Sequence, residues 1–257
     1  MRVRVGTSGY SYKAWKPSFY PEVLKDADFL RFYASRFGTV EINNTFYRMP
    51  NAALLTRWAD ETPADFSFVL KAPRRITHEK RLSDPDSLAY FFKTAVVLGD
   101  KLGPVLFQLP PFFKKDLARL DSFLALIPDG RRAAFEFRHA TWFDDEVTSL
   151  LRSRAVALCL ADTDELPIAS LTATADWGYL RLRREQYDDA ALATWADRIR
   201  AQPWQAVWVF FKHEEEGKGP ALAQRLIERL GGPAQSSNSA LQGPPSAPAP
   251  ASGPDFR

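Results

Sequence analysis

Cysteine is nearly missing from this chain: Cys159 is the single one in 257 residues. One thiol excludes an internal disulfide and any CxxC metal or redox motif. Its place in the apolar run ALCL marks it as a buried, unreactive side chain. Histidine is scarce too, with three residues. Neither HxH nor HExxH spacing occurs, so neither a metal site nor another cofactor is expected. No apolar stretch approaches the ~20 residues that cross a bilayer, which excludes a membrane role. The opening MRVRVGTSG has no apolar signal region, so cytoplasmic residence is expected. Charge of one sign is also in short supply: the formal net charge is +3 and the pI is near 8.9. That balance suits an anionic ligand but is too weak to indicate nucleic acid by itself.

What the chain does have is a repeated beat of β-branched or aromatic runs, each followed by an amphipathic stretch. The runs are Arg2–Gly6, Thr39–Asn43, Phe66–Lys71, Pro104–Leu109, Ala133–Arg138, Ala155–Leu160, Tyr179–Arg183 and Val207–Lys212. Strands that alternate with helices pair in parallel, and eight of them close a barrel. The expected fold is therefore α/β: a single TIM-like (β/α)8 barrel over residues 1–230, a span close to the ~250 residues usual for that architecture. Helical periodicity covers Asp26–Phe37, Asn51–Glu61, Ser87–Lys101, Asp116–Ile127, Asp144–Arg154, Asp188–Gln202 and Pro220–Leu230. Several of these open on an acidic residue suited to a helix N-terminus. The sixth unit stands apart: Asp162–Asp176 carries Pro167 and several β-branched residues, which predicts an irregular connection. Residues 231–257 are rich in Gly, Pro, Ser and Ala with almost no charge, the composition of a disordered tail.

Barrel enzymes place their chemistry where strands end. Alternation then sorts candidates, because residues two apart share a strand face. Glu41 pairs with Asn43 in this way, Glu136 with Arg138, and Arg181 with Arg183. Lys71, Gln108, Asp162 and Lys212-His213 close strands three, four, six and eight. Thr7, Ser8 and Tyr10 follow strand one, Tyr47 follows strand two, His78 follows strand three, and Trp142 follows strand five. The Gly217-Lys218-Gly219 turn fits a phosphate at the last helix or a simple chain reversal. Buried charges need partners, so the same residues also fit an internal ion-pair network.

The motifs GTSGYSYKAWKPSFYP, EINNTFYRMP, FSFVLKAPRRITH, QLPPFF and EFRHATW, in this order, resemble the YecE-like family, domain of unknown function 72. The resemblance covers residues 3–230 and implies a TIM-like barrel; it implies no reaction. It places Thr7, Ser8, Gly9, Tyr10, Trp15 and Tyr20 in the first loop, and Glu41, Asn43, Thr45, Phe46 and Tyr47 at strand two. It further places Lys71 and His78 after strand three, Gln108 at strand four, and Glu136, Arg138 and Trp142 at strand five. Many relatives carry Arg-Leu-His-Gly at strand seven and an Asn-containing end to strand eight. Here the residues are Arg181-Leu182-Arg183-Arg184 and Phe210-Phe211-Lys212-His213, a more cationic pair of strand ends.

The leading functional expectation is an enzyme for a small anionic substrate, a phosphorylated sugar or a carboxylate. Glu41 or Glu136 would act as general acid or base, and Arg138, Arg181, Arg183 and Lys212 would bind the anion. Lys71 would bind or, if desolvated, attack as a nucleophile. Hydrolase, lyase and isomerase chemistry all fit. The alternative is nucleic-acid binding, with Arg74-Arg75, Arg131-Arg132 and Arg183-Arg184 tracking phosphates between aromatic rings. A metal-dependent hydrolase using Glu41, His78, Glu136, Asp162 and His213 ranks lower, because cations crowd the same rim. A glycosidase built on Glu41 and Glu136 ranks lower too, since Arg138 beside Glu136 suggests ion pairing. Nothing in the pattern sets an oligomeric state.

Overall fold

The structure, a computed structural model, describes residues 1–168 and 170–231. The tail proposed from composition lies, from residue 232 onward, outside the described residues. Among the described residues the strands are β1 (Arg2–Thr7), β2 (Thr39–Ile42), β3 (Ser67–Lys71), β4 (Leu102–Gln108), β5 (Ala133–Glu136), β6 (Ala157–Asp162), β7 (Trp177–Leu182) and β8 (Ala206–Phe211). They form one parallel sheet in the order β1-β8-β7-β6-β5-β4-β3-β2, a nearly closed barrel. Helices α1 (Phe29–Ala34), α2 (Asn44–Tyr47), α3 (Ala52–Asp60), α4 (Pro85–Ala95), α5 (Leu117–Leu124), α6 (Asp145–Ser153), α7 (Asp189–Arg200) and α8 (Lys218–Arg229) occupy the connections. Between β6 and β7 the described residues contain no helix, as Pro167 and the β-branched residues predict.

Local chemistry explains the boundaries. Asn51, Asp84, Asp116, Asp144 and Asp188 each accept a hydrogen bond from the backbone N–H three residues on, the N-cap arrangement that stabilises a helix by about 1 kcal/mol. Helix α4 consequently starts earlier than Ser87, and it stops at Ala95 because the chain tightens into a 3-10 turn that breaks at Gly99 (φ +55°). Strand β6 starts two residues later than expected. Ala155, at φ +52°, belongs to the turn that ends α6.

The barrel closes imperfectly between β1 and β2. The strands meet at their top, where the Gly9 N–H donates to the Glu41 carbonyl at 2.8 Å. Lower down the Tyr33 hydroxyl from α1 is wedged between them. It accepts from the Thr7 N–H at 2.9 Å and donates to the Thr39 carbonyl at 3.0 Å, standing in for missing ladder bonds. Gly6 makes room for the wedge: a Cβ there would lie 2.3 Å from the Thr39 oxygen and 2.9 Å from the Tyr33 hydroxyl.

Two cores result from strand alternation. Outward-facing Val40, Phe68, Phe107, Phe135, Leu180 and Val209 pack against the helices in one large cluster. The inward-facing residues form a second, separate cluster, with Trp177 and Trp208 at the bottom and Cys159, Tyr179 and Phe210 above. Arg132 lies over the Trp208 ring at 5.3 Å and caps that lower end. The interior is thus filled with apolar side chains up to the level of β7 residue 179. Above it the inward positions turn polar, and that change of chemistry positions the site.

Candidate functional site

The polar layer is built on one guanidinium. Arg181, buried on β7, donates through Nη2 to Glu41 Oε1 at 2.8 Å and through Nη1 to Glu136 Oε2 at 2.6 Å. Glu41 also accepts from the Tyr179 hydroxyl at 2.7 Å and the Asn43 amide at 3.2 Å. Glu136 accepts from Gln108 at 2.8 Å and from Arg138 Nε at 3.1 Å. Gln108 in turn accepts from Lys71 Nζ at 2.9 Å. Strands β2, β3, β4, β5 and β7 each contribute an inward side chain to this continuous network. Satisfied lone pairs and paired charges are what make such burial tolerable.

Those contacts set the protonation states. Burial works to raise the pKa of Glu41, but Arg181 and the Tyr179 hydroxyl outweigh it and hold the carboxyl below its ordinary value. Glu136 behaves alike: burial opposes, Arg181 and Arg138 prevail, and its pKa falls to about 2. Lys71 moves the other way. Burial and the neighbouring Arg181 bring its ammonium down from 10.5 to about 8. Burial and the charges of Lys71, Arg138 and Arg74 lower His78 to about 4, so its ring is neutral at pH 7. Burial and Arg181 lower the pKa of Arg183.

Above the network lies a cavity of about 580 Å³, lined by Asn43, Tyr47, Lys71, His78, Gln108, Arg138, Arg181, Arg183 and Lys212 among others. Nine of the residues expected from sequence therefore line one space, with Glu41 and Glu136 held on Arg181 beside it. Six lining side chains are Lys or Arg, against one lining carboxylate, Glu214. Among the described residues the Arg183 side chain has neither hydrogen bond nor ion pair, and the polar partner of Lys71 is a neutral amide. Phe46 covers Lys71, with Nζ 4.0 Å from the ring centroid. A π-type turn over Arg75–Glu79, an irregularity common at functional sites, carries His78 to the rim.

Other expected residues stand elsewhere. Thr7 belongs to the Tyr33 wedge, and Tyr10 packs near the Tyr33 ring. Ser8, buried at the top of β1 beside Glu41, helps to lower that carboxyl's pKa, although its hydroxyl completes no hydrogen bond among the described residues. Trp142 is core: it stacks on Phe137 at 4.7 Å and its indole N–H donates to the Phe113 carbonyl at 2.6 Å. Asp162 anchors the helix-free connection by accepting from the Ile168 N–H at 3.0 Å, the Tyr187 hydroxyl at 2.9 Å and Arg184 at 2.9 Å. His213 is buried with Nε2 2.6 Å from the Arg184 carbonyl, and burial lowers its pKa. The Gly217-Lys218-Gly219 turn does not line the cationic cavity; its glycines fit closely against Ser18 and the His213 carbonyl. Among the described residues no three His, Cys, Asp or Glu side chains gather to hold a metal ion. Of the basic pairs, Arg74 and Arg183 line the cationic cavity, Arg75 pairs with Asp84, Arg184 pairs with Asp162, and Arg132 lies at the opposite end of the barrel.

Sequence reasoning missed Tyr179 and Tyr12. Tyr179 lies two residues before Arg181 and shares its inward face, so alternation was the available signal. Tyr12 had no such signal, because it reaches the cavity from an irregular loop.

The same motifs and barrel recur in other proteins. The model of the family "Protein of unknown function DUF72" matches residues 4–249. The chain belongs to the DUF72 family. The match runs past residue 230, further than the motifs alone indicated. The UPF0759 protein YecE of Escherichia coli is 34% identical over 113 residues, 43% of this chain and 42% of that protein. The UPF0759 protein YunF of Bacillus subtilis is 34% identical over 139 residues, 49% of this chain and 48% of that protein. The chain is thus matched to under half the length of these curated relatives. Among solved structures, a DUF72 family protein from Thermotoga maritima superposes with a TM-score of 0.74 at 26% identity, covering 90% of this chain and 100% of the other. One from Enterococcus faecalis gives 0.77 at 18% identity over 89% and 95%. The DUF72 barrel is therefore shared, and among the described residues no helix is long and apolar enough to cross a membrane.

Proposed function

We propose that the barrel mouth binds a small organic anion, a carboxylate or a phosphate monoester, and catalyses proton transfer next to the anionic group. One observation carries this reading: Lys71 and Arg183 face the cavity with no carboxylate of their own. A buried or half-buried cation without a counter-ion is costly, and a bound anion would offset that cost. Arg138 has its Nη nitrogens uncommitted among the described residues, and Lys212 stands 3.8 Å from Glu214 at the rim, so both are placed to assist.

The division of labour differs from the glutamate chemistry expected from sequence. Glu136, near 2, remains ionised and has no proton to give at pH 7. One guanidinium sits between the two glutamates, in the space a sugar would need between a glycosidase carboxylate pair. Their role in this reading is to orient Arg181. Lys71, near 8, has about a tenth of its amine neutral at pH 7, suited to taking and returning a proton. Neutral His78 beside it offers a second transfer site. Lyase and isomerase chemistry suit this set best.

Calorimetric titration with inorganic phosphate and with citrate tests the binding step. Micromolar to low-millimolar binding, weakened at least tenfold in Arg183→Ala and in Lys71→Met, is expected. Absence of binding at low ionic strength, or affinity indifferent to both substitutions, would overturn the reading.

A further inference from the structure

A second cavity of about 480 Å³ adjoins the cationic one and differs from it in chemistry. Phe137, Phe143, Ala161, Leu166 and Ile168 supply apolar walls, and Glu136, ion-paired with Arg138 and Arg181, also lines the space. It lies where the sixth connection carries no helix among the described residues. The Asp162 carboxylate holds the Ile168 backbone, so the segment carrying Leu166 and Ile168 arches over the end of β6. Arg138 and Arg183 line both cavities and form the wall between them. Each cavity falls within the ~300–1,000 Å³ of ordinary small-molecule sites. Phe143 and Leu166 are 59% and 74% exposed, large apolar side chains left open at the entrance.

An apolar chamber that shares two arginines with a cationic one suits a molecule with two ends. We infer that the substrate is an amphipathic anion: its carboxylate or phosphate lies against Arg138 and Arg183, and an aliphatic or aryl group fills the chamber under the sixth connection. This inference rests on the anion-binding reading above and narrows it. The charge complementarity is specific to the shared wall. A purely polar sugar phosphate would leave the apolar walls wet, whereas a purely apolar ligand would leave Arg183 unpaired.

The experiment is a titration series with acetate, butanoate, hexanoate, octanoate and 3-phenylpropanoate, alongside inorganic phosphate as the head-group control. Affinity is expected to rise about fourfold per methylene from butanoate to octanoate. Ala161→Phe, which places a ring in the chamber, should abolish that rise while leaving phosphate affinity within twofold. Leu166→Asp alters an exposed side chain, so folding is preserved, and it should flatten the series in the same way. Phosphate and acetate binding with no dependence on chain length would overturn the amphipathic inference and leave the anion reading standing. A chain-length dependence that persists unchanged in both variants would place the apolar contact elsewhere and equally overturn it. Failure of every anion, phosphate included, would remove both.

Discussion

Replacing Arg181 with Met should invert the pH dependence of stability. The guanidinium holds two buried carboxylates, one fully buried and the other 3% exposed. Breaking a buried ion pair from one side costs about 3–5 kcal/mol, because the remaining charge is left without its partner. Glu136 keeps Arg138 and Gln108, whereas Glu41 retains neutral groups, the Tyr179 hydroxyl, the Asn43 amide and nearby Ser8. Glu41 is therefore the group expected to take up a proton. In the wild type the fall of Glu136 from 4.5 to about 2 corresponds to about 3 kcal/mol, present above pH 4.5 and lost as the pH falls toward 2. In Arg181→Met the folded-state pKa of Glu41 rises above its unfolded value. The folded form then binds the extra proton, and stability declines as the pH rises from about 5 to 8. Urea denaturation followed by tryptophan fluorescence reads the wild-type effect at pH 2.5, 3.5 and 4.5 and the Glu41 effect at pH 5, 6, 7 and 8, and the melting temperature should fall by roughly 6–20 °C at pH 7. A loss below about 1 kcal/mol, with the wild-type pH slope retained, would refute the claim that this guanidinium neutralises the layer.

Lys71→Met should stabilise the ligand-free protein at pH 7 by about 1–2 kcal/mol while weakening phosphate binding, since the buried ammonium is held at about 8 rather than 10.5. Wild-type stability should correspondingly rise as the pH increases from 8 toward 10.5, and the variant should lose that rise; parallel melting curves would contradict it. Tyr33→Phe strands the Thr7 N–H and the Thr39 carbonyl at the β1–β2 seam. That variant should cost about 1–3 kcal/mol in the same denaturation assay, and a change under 0.5 would show the seam to be held by other contacts. Asp162→Ala frees Ile168 and Arg184, so limited proteolysis should cut the 163–176 segment faster, with the rest of the barrel resistant. Unchanged cleavage there would mean that the loop is set by its own packing.

Much of the site was legible because a strand has a period of two. Glu41 with Asn43, Glu136 with Arg138, and Arg181 with Arg183 are same-face pairs in the sequence, and each pair points into the barrel as that period requires. Proximity to a strand end was a poorer guide for Trp142 and His213. Beyond the last strand residue the loop backbone decides where a side chain goes, and both turn into packed surroundings. Asp162 shows the same limit for charge. A terminal aspartate reads as a pocket residue, yet its donors are Ile168 in the connection that it anchors and Arg184 and Tyr187 in the loop beyond β7.

By itself the sequence determined the number of strands, their parallel order, the irregular sixth unit and the inward faces that carry charge. These follow from short-range periodicity and from proline, which act within a few residues. Only the tertiary structure decided that Glu41 and Glu136, 95 positions apart, share one guanidinium. It also decided that Tyr33 completes the barrel seam and that a bare connection opens an apolar chamber beside a cationic one. Charge pairing and cavity shape depend on curvature and on contacts across the barrel, so they arise only when distant strands are brought face to face.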